Sequence, residues 1–170
     1  QVPHSKDVSD YYHILNSSNV LNTVYWWEFF SQIRGLRGDI VECGVGRGRS
    51  LITIASINKL ISSLDDQKER KIFALDSFEG FPEPTEFDNS IRSPQKGEWS
   101  MSPNNQFKYS PETIAKVMKL ADIDSKIEYV KGFFDKTTEN LEVDDISILH
   151  LDGDLYESVK TPLNNLWQKL

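Results

Sequence analysis

Residues 38–51, GDIVECGVGRGRSL, constrain the fold more than any other stretch. A short apolar run, Asp39-Ile40-Val41-Glu42-Cys43, leads into glycines at 44, 46 and 48. A periodic segment, Arg49 to Leu64, follows with Leu51, Ile54, Ile57, Ile61 and Leu64 on one side. Strand, glycine turn, helix is how a βαβ unit begins, and such a unit needs a parallel partner strand reached by a helical crossover. The glycines let the backbone turn sharply and approach a ligand with no side chain in between. The helix beyond them offers unpaired N–H groups in its first turn.

The rest of the chain repeats the alternation. Residues 18–34 place Leu21, Val24, Tyr25, Phe29 and Ile33 at helical spacing, and the Trp26-Trp27 pair reads as helix packing. Lys71 to Leu75 is a second strand, Lys126 to Val130 a weaker third and Ile146 to Leu151 a fourth. Ser110 as N-cap with Pro111 behind it opens a helix running to about Leu120. Another helix starts near Glu157, in which Pro162 is tolerable only near the first turn. The expected class is α/β, a Rossmann-like parallel sheet with helices on both faces. We expect an N-terminal helical cap over 1–37 and a cofactor-binding domain over 38–170. The chain stops at Leu170 within a helical pattern, so the C-terminal strands of such a sheet are expected to be missing from it.

One segment, 82–109, breaks the alternation. With Gly80 and Phe81 before it, it holds four of the chain's seven prolines and no clean period. Connections of that length are lids, binding loops or mobile insertions. Phe87, Trp99 and Phe107 argue against plain disorder, leaving a lid or a surface insertion.

Charge narrows the partners. A net charge of -7 and a pI of about 5.0 exclude a broad electrostatic hold on nucleic acid or on an anionic membrane. No apolar run approaches the ~20 residues that span a bilayer. The single cysteine, Cys43, cannot form an internal disulfide and reads as core, which suits a cytoplasmic setting. A small-molecule partner remains, with a homo-oligomer left open.

The acids near the strand ends say which molecule. A dinucleotide fingerprint runs G-x-G-x-x-G, but here the third glycine comes one residue early and Arg49 replaces it. Glu42, two residues before Gly44, would repel a pyrophosphate and suits a positive amine. S-adenosylmethionine carries an ammonium and a sulfonium. Asp76 closes the second strand, where a carboxylate can accept both hydroxyl hydrogens of a ribose. The competing reading is a structural glycine turn with surface acids. Asp152 and Asp154, in HLDGDLYES, follow the fourth strand and suit Mg²⁺ or general-base work. Asp154 reads equally as a helix cap, and His150 as a packed core histidine.

In their order and spacing, VECGVGRGRS, FALDSFEGFPEP, VKGFFDKT and LHLDGDLYES resemble the macrocin O-methyltransferase family over about residues 20–170. That resemblance implies a class I, metal-dependent enzyme methylating a sugar hydroxyl of a glycosylated natural product. It implies Glu42, Gly44 and Gly46 at the methionine end of S-adenosylmethionine, with Gly48 and Ser50 beside them. It further implies Asp76 and Ser77 at the ribose and the Gly132-Phe133-Phe134 turn near the adenine. Asp152 becomes a Mg²⁺ ligand and the base, completed in the family by an Asp-Asp pair after the next strand, beyond Leu170. Three readings compete with it: an NAD-type oxidoreductase, a related cofactor-fold enzyme doing another reaction, and a non-catalytic module in which the glycine turn is only structure.

Overall fold

A computed structural model describes residues 17–102, 108–123 and 125–170. The first sixteen residues of the expected cap, and Phe107, lie outside the described residues. In chain order the elements are α1 (Ser17–Gln32), β1 (Asp39–Cys43), α2 (Arg49–Leu64), β2 (Ile72–Asp76), α3 (Pro111–Leu120), β3 (Ile127–Lys131), a short helical turn α4 (Phe134–Thr137), β4 (Ile146–Leu151) and α5 (Tyr156–Leu166). Each expected strand forms within one residue of its place. The Ser110 cap is real, its hydroxyl accepting from Thr113 N–H at 3.2 Å.

The four strands are all parallel, in the order β3-β2-β1-β4. β1 is central and almost wholly buried, which explains why its sequence is a continuous apolar run with no alternation. On one face Ile40, Ile72 and Ile148 pack with Leu51 and Ile54 of α2, Ile114 and Met118 of α3, and Trp26 and Phe30 of α1. On the other face Val41, Cys43, Phe73 and Leu75 pack with Leu166 of α5. Helices thus cover both faces. Among the described residues no helix is long and apolar enough to cross a membrane.

Two local expectations are corrected. In α1 the buried residues are Trp26 and Phe30, whereas Leu21 is 70% and Val24 59% exposed. The apolar residues occupy most of that helix's circumference, so periodicity alone leaves the packing face undecided. Pro162 sits beyond the first turn of α5, fully buried. It withholds a donor from the carbonyl four residues earlier, a local cost that packing outweighs. The described part of the insertion, 82–102, has its own backbone order: Phe81 N–H donates to Glu98 O at 2.9 Å, Gly97 N–H donates to Phe81 O at 3.0 Å, and a 3-10 turn forms at Glu86–Asp88.

Candidate active site

The strand order reverses between β1 and β4, and ligands of open parallel sheets gather at such a point beyond the carboxyl ends of the strands. A cleft of about 600 Å³ lies there. Gly44, Gly46, Ser50, Asp76, Ser77 and Phe133 line it, with Asp152 on the β4 side. Gly48 does not. It is the N-cap of α2, in a left-handed conformation.

Glu42 lies one layer beneath the cleft, fully buried on β1. The hydroxyl of Ser50, a wall residue, donates to its Oε1, and His150 Nδ1 on β4 stands 3.2 Å from the same oxygen. This contact follows from register, because Glu42 and His150 are paired residues of adjacent strands. Burial pushes the Glu42 carboxyl above the usual carboxylate range, against the lowering effect of His150 and Ser50. Burial also depresses His150, but its bond to Glu42 and that residue's charge outweigh this and raise the imidazole. Glu42 Oε2 has no hydrogen-bond partner, a costly state for a buried carboxylate oxygen. His150 also meets Trp26 edge-to-face at 4.8 Å, so it is both a packed histidine and the partner of the buried acid.

Asp76 organises the loop. Its Oδ2 accepts the Gly46 N–H at 2.8 Å and its Oδ1 the Phe78 N–H at 2.7 Å. The Gly46 donor, which a dinucleotide fold would turn toward a pyrophosphate, is already taken. Each carboxylate oxygen keeps further acceptor capacity for a ligand hydroxyl. Beside it Ser77 Oγ donates to Gly80 O at 2.9 Å, closing the turn into the insertion. Cys43 is buried, and burial, with the charges of Glu42 and Asp76, pushes its thiol far up, consistent with a core residue.

On the β4 side the backbone is tightly seated. Asp152 N–H donates to Cys43 O at 2.8 Å, and a Cβ at Gly44 would fall 2.1 Å from Asp152 O. Gly44 has a φ of 100°, so only glycine fits the crossing of the two loops. Asp152 is exposed at the cleft wall. Asp154 does not cap α5. It pairs with Arg92 of the insertion at 3.0 Å, while Asp88 of the same insertion accepts the first N–H of α5, from Tyr156, at 2.7 Å. Among the described residues no three His, Cys, Asp or Glu side chains cluster as a metal site would require.

Sequence reasoning missed part of the wall. Arg47, Phe81, Arg92, Trp99 and Thr161 also line the cleft, and only the aromatic content of the insertion hinted at one of them.

This sheet order, with the cleft at the strand ends flanking β1, is the Rossmann-like arrangement that class I methyltransferases share with dinucleotide-binding folds. A calicheamicin methyltransferase of known structure superposes with a TM-score of 0.75 at 21% identity, over all of this chain and 68% of that one. The chain belongs to the macrocin-O-methyltransferase family, whose model matches residues 30–170. It is 30% identical over 137 residues to the demethyldecarbamoylnovobiocin O-methyltransferase of Streptomyces niveus, covering 78% of this chain and 48% of that one. It is 27% identical over 140 residues to the mycinamicin III 3''-O-methyltransferase of Micromonospora griseorubida, covering 80% of this chain and 52% of that one. The chain therefore spans about half the length of these relatives.

Proposed function

We propose that the protein transfers a methyl group from S-adenosylmethionine to a hydroxyl of a sugar or glycosylated natural product. The observation that carries this reading is a fully buried carboxylate, Glu42, with one oxygen unpartnered and the other bonded to a wall residue of the glycine-turn cleft. An acid so placed disfavours a phosphate and favours an ammonium. The orphan oxygen therefore fits the methionine end of the cofactor.

When bound, the cofactor supplies an electrophilic methyl on a positively charged sulfur. Ser50 would hold the ammonium, its hydroxyl oriented by Glu42 behind it, and Asp76 the ribose hydroxyls through its remaining lone pairs. Gly44 and Gly46 leave room for close approach, and the Gly132-Phe133-Phe134 turn would flank the adenine. Asp152, across the cleft, would accept the proton of the attacking hydroxyl at a carboxylate oxygen. Because attack must be in line with the departing sulfur, most of the gain is positioning. The insertion 82–109 would act as a lid that excludes water from the reacting atoms. Mg²⁺ belongs to this proposal as an auxiliary to Asp152. A hard cation takes about six oxygens, which the described residues do not assemble, so no step runs through it.

Calorimetry on the full-length protein with S-adenosylhomocysteine and with NAD tests the cofactor reading. Binding of the first and not the second is expected, and the reverse would overturn it. Transfer of labelled methyl to a panel of glycosides, with and without EDTA, tests the reaction and the metal separately. A panel methylated in neither condition would leave only a binding module.

A further inference from the structure

The residues assigned above to the cofactor line the β1, β2 and β3 side of the cleft. The rest of its lining includes Phe81, Arg92 and Trp99 of the insertion, with Asp152 and Asp154 after β4. Trp99 stands out there. It is 49% exposed although large and apolar, and its φ of 67° lies in the left-handed region that non-glycine residues avoid. Such a conformation is strained and persists only where the surroundings enforce it. They do so here. Gly97 and Glu98 are paired to the Phe81 backbone, and a Cβ at Gly80 would lie 2.3 Å from Glu98 O. After it in the chain, Ser100 Oγ donates to Gly97 O at 2.8 Å, and Tyr109 N–H donates to Ser100 O at 3.1 Å. The chain thus fixes the backbone that carries an exposed indole into the cleft, at a cost in strain.

The neighbours of the ring add a second observation. The Arg92 guanidinium lies 5.8 Å from the Trp99 ring centre and 5.6 Å from that of Phe81, while its NH1 pairs with Asp154. Both partners are nearly half exposed, and an exposed ion pair contributes little to stability. Stability does not explain its place. A planar guanidinium and a carboxylate side by side present paired donors and acceptors, the complement of two adjacent hydroxyls. A pyranose offers both features: a face of C–H groups for an aromatic ring, and hydroxyls around the rim.

Building on the methyl-transfer reading, we propose that Trp99 is the platform for the sugar ring of the acceptor, and that the Arg92–Asp154 pair reads two neighbouring hydroxyls on it. The substrate class is a hexopyranose with a free vicinal diol next to the methylated position, seated against Trp99 with its hydroxyl toward Asp152. The main competitor for the indole is the cofactor side, because Arg47 of the glycine turn also stacks on it at 5.1 Å.

The test uses the full-length protein saturated with S-adenosylhomocysteine. The probes are methyl α-L-rhamnopyranoside, which has an apolar face and a vicinal diol, and the same sugar as its thymidine diphosphate. Comparing the two separates a free glycoside from a nucleotide-linked source of the same ring. In Trp99→Ala, sugar affinity is expected to fall about tenfold or more, the scale of a lost aromatic contact. Trp99→Phe should restore most of it, and Arg92→Gln should weaken the diol-bearing probe but not its 2,3-di-O-methyl derivative. S-adenosylhomocysteine affinity should stay near wild type in all three. A loss of S-adenosylhomocysteine affinity with sugar binding intact would hand the ring to the cofactor and overturn the proposal. Wild-type protein that binds S-adenosylhomocysteine but neither sugar would overturn the hexose class alone. Wild-type protein that binds no S-adenosylhomocysteine would instead remove the methyl-transfer reading and this inference with it. Should Trp99→Ala not fold, the Phe and Gln variants decide the matter by the same two affinities.

Discussion

On the glycine-turn side of the cleft the acids are fixed by the backbone or by burial: Glu42 has no exposed surface, and both Asp76 oxygens accept backbone N–H groups. Across the cleft, Asp152 and Asp154 are exposed, and the partner of Asp154 comes from an insertion 62 residues away. The first side is a socket fixed by the main chain and the buried core. The second is assembled from a loop seated on β1 and an insertion held by side-chain pairs to distant residues. The difference teaches that the two walls of one cleft can be set by forces of different reach, backbone bonds and burial on one side and exposed side-chain pairs on the other.

The comparison breaks most decisively at the seam between the two sides. Gly44→Ala should cost about 4 kcal/mol or more, the range reserved for core clashes and backbone strain. Its Cβ would meet Asp152 O at 2.1 Å, with φ at 100°. Urea denaturation measures it, and a loss under about 1 kcal/mol would show that the seam yields and the socket is not rigid.

Next in size is Glu42→Gln, which keeps the shape and removes the charge. Affinity for S-adenosylhomocysteine should fall about 10–100-fold, as for a hydrogen bond to a charged group. The same pair sets a pH dependence whose sign can be worked out. His150, raised in the fold, contributes stability that is fully present below its unfolded value of 6.5 and is lost as pH climbs through its folded value. Glu42, raised above 4.5, favours the fold while protonated and opposes it once ionised. Both slopes run the same way, so stability should decline as pH rises above 6.5, the ordinary histidine value, and Glu42→Gln should flatten the curve. A rise with pH there would mean that the fold does not raise these two groups.

Asp76→Ala should weaken cofactor binding by about 1–3 kcal/mol, with Asp76→Asn in between because it keeps one acceptor for Gly46 N–H. Unchanged affinity by calorimetry would remove Asp76 from the socket. The smallest effect sharpens the other side. Asp88→Ala removes the cap of α5 and should loosen the insertion by about 1 kcal/mol. Hydrogen exchange over 82–102 should quicken in the variant, and in wild type should slow when S-adenosylhomocysteine and acceptor bind. Backbone bonds from Tyr156 and Thr85 hold the Asp88 carboxyl below its ordinary value of 3.8. Its contribution is therefore present above that value and lost only as pH falls through the depressed one. Equal exchange in every state would make the insertion a fixed wall.

The socket was legible in the sequence because its determinants are local. Ile40-Val41 selects a buried strand, the glycines at 44, 46 and 48 select the turn, and the spacing of Leu51, Ile54 and Ile57 selects the helix, all within about twenty residues. The strand-end position of Asp76 needed only the second strand to be recognised. What the sequence could not supply is every contact whose partners are far apart. Glu42 meets His150 across 108 residues because β4, not β3, pairs beside β1. Asp88 rather than Asp154 satisfies α5, and Arg92 reaches Asp154, because the insertion folds back over the strand ends. In α1, apolar residues on nearly every side let the sheet choose Trp26 and Phe30 for burial. Local propensity fixes how a few consecutive residues bend, but which distant groups meet depends on strand order and register, and these are settled only when the whole sheet closes its core.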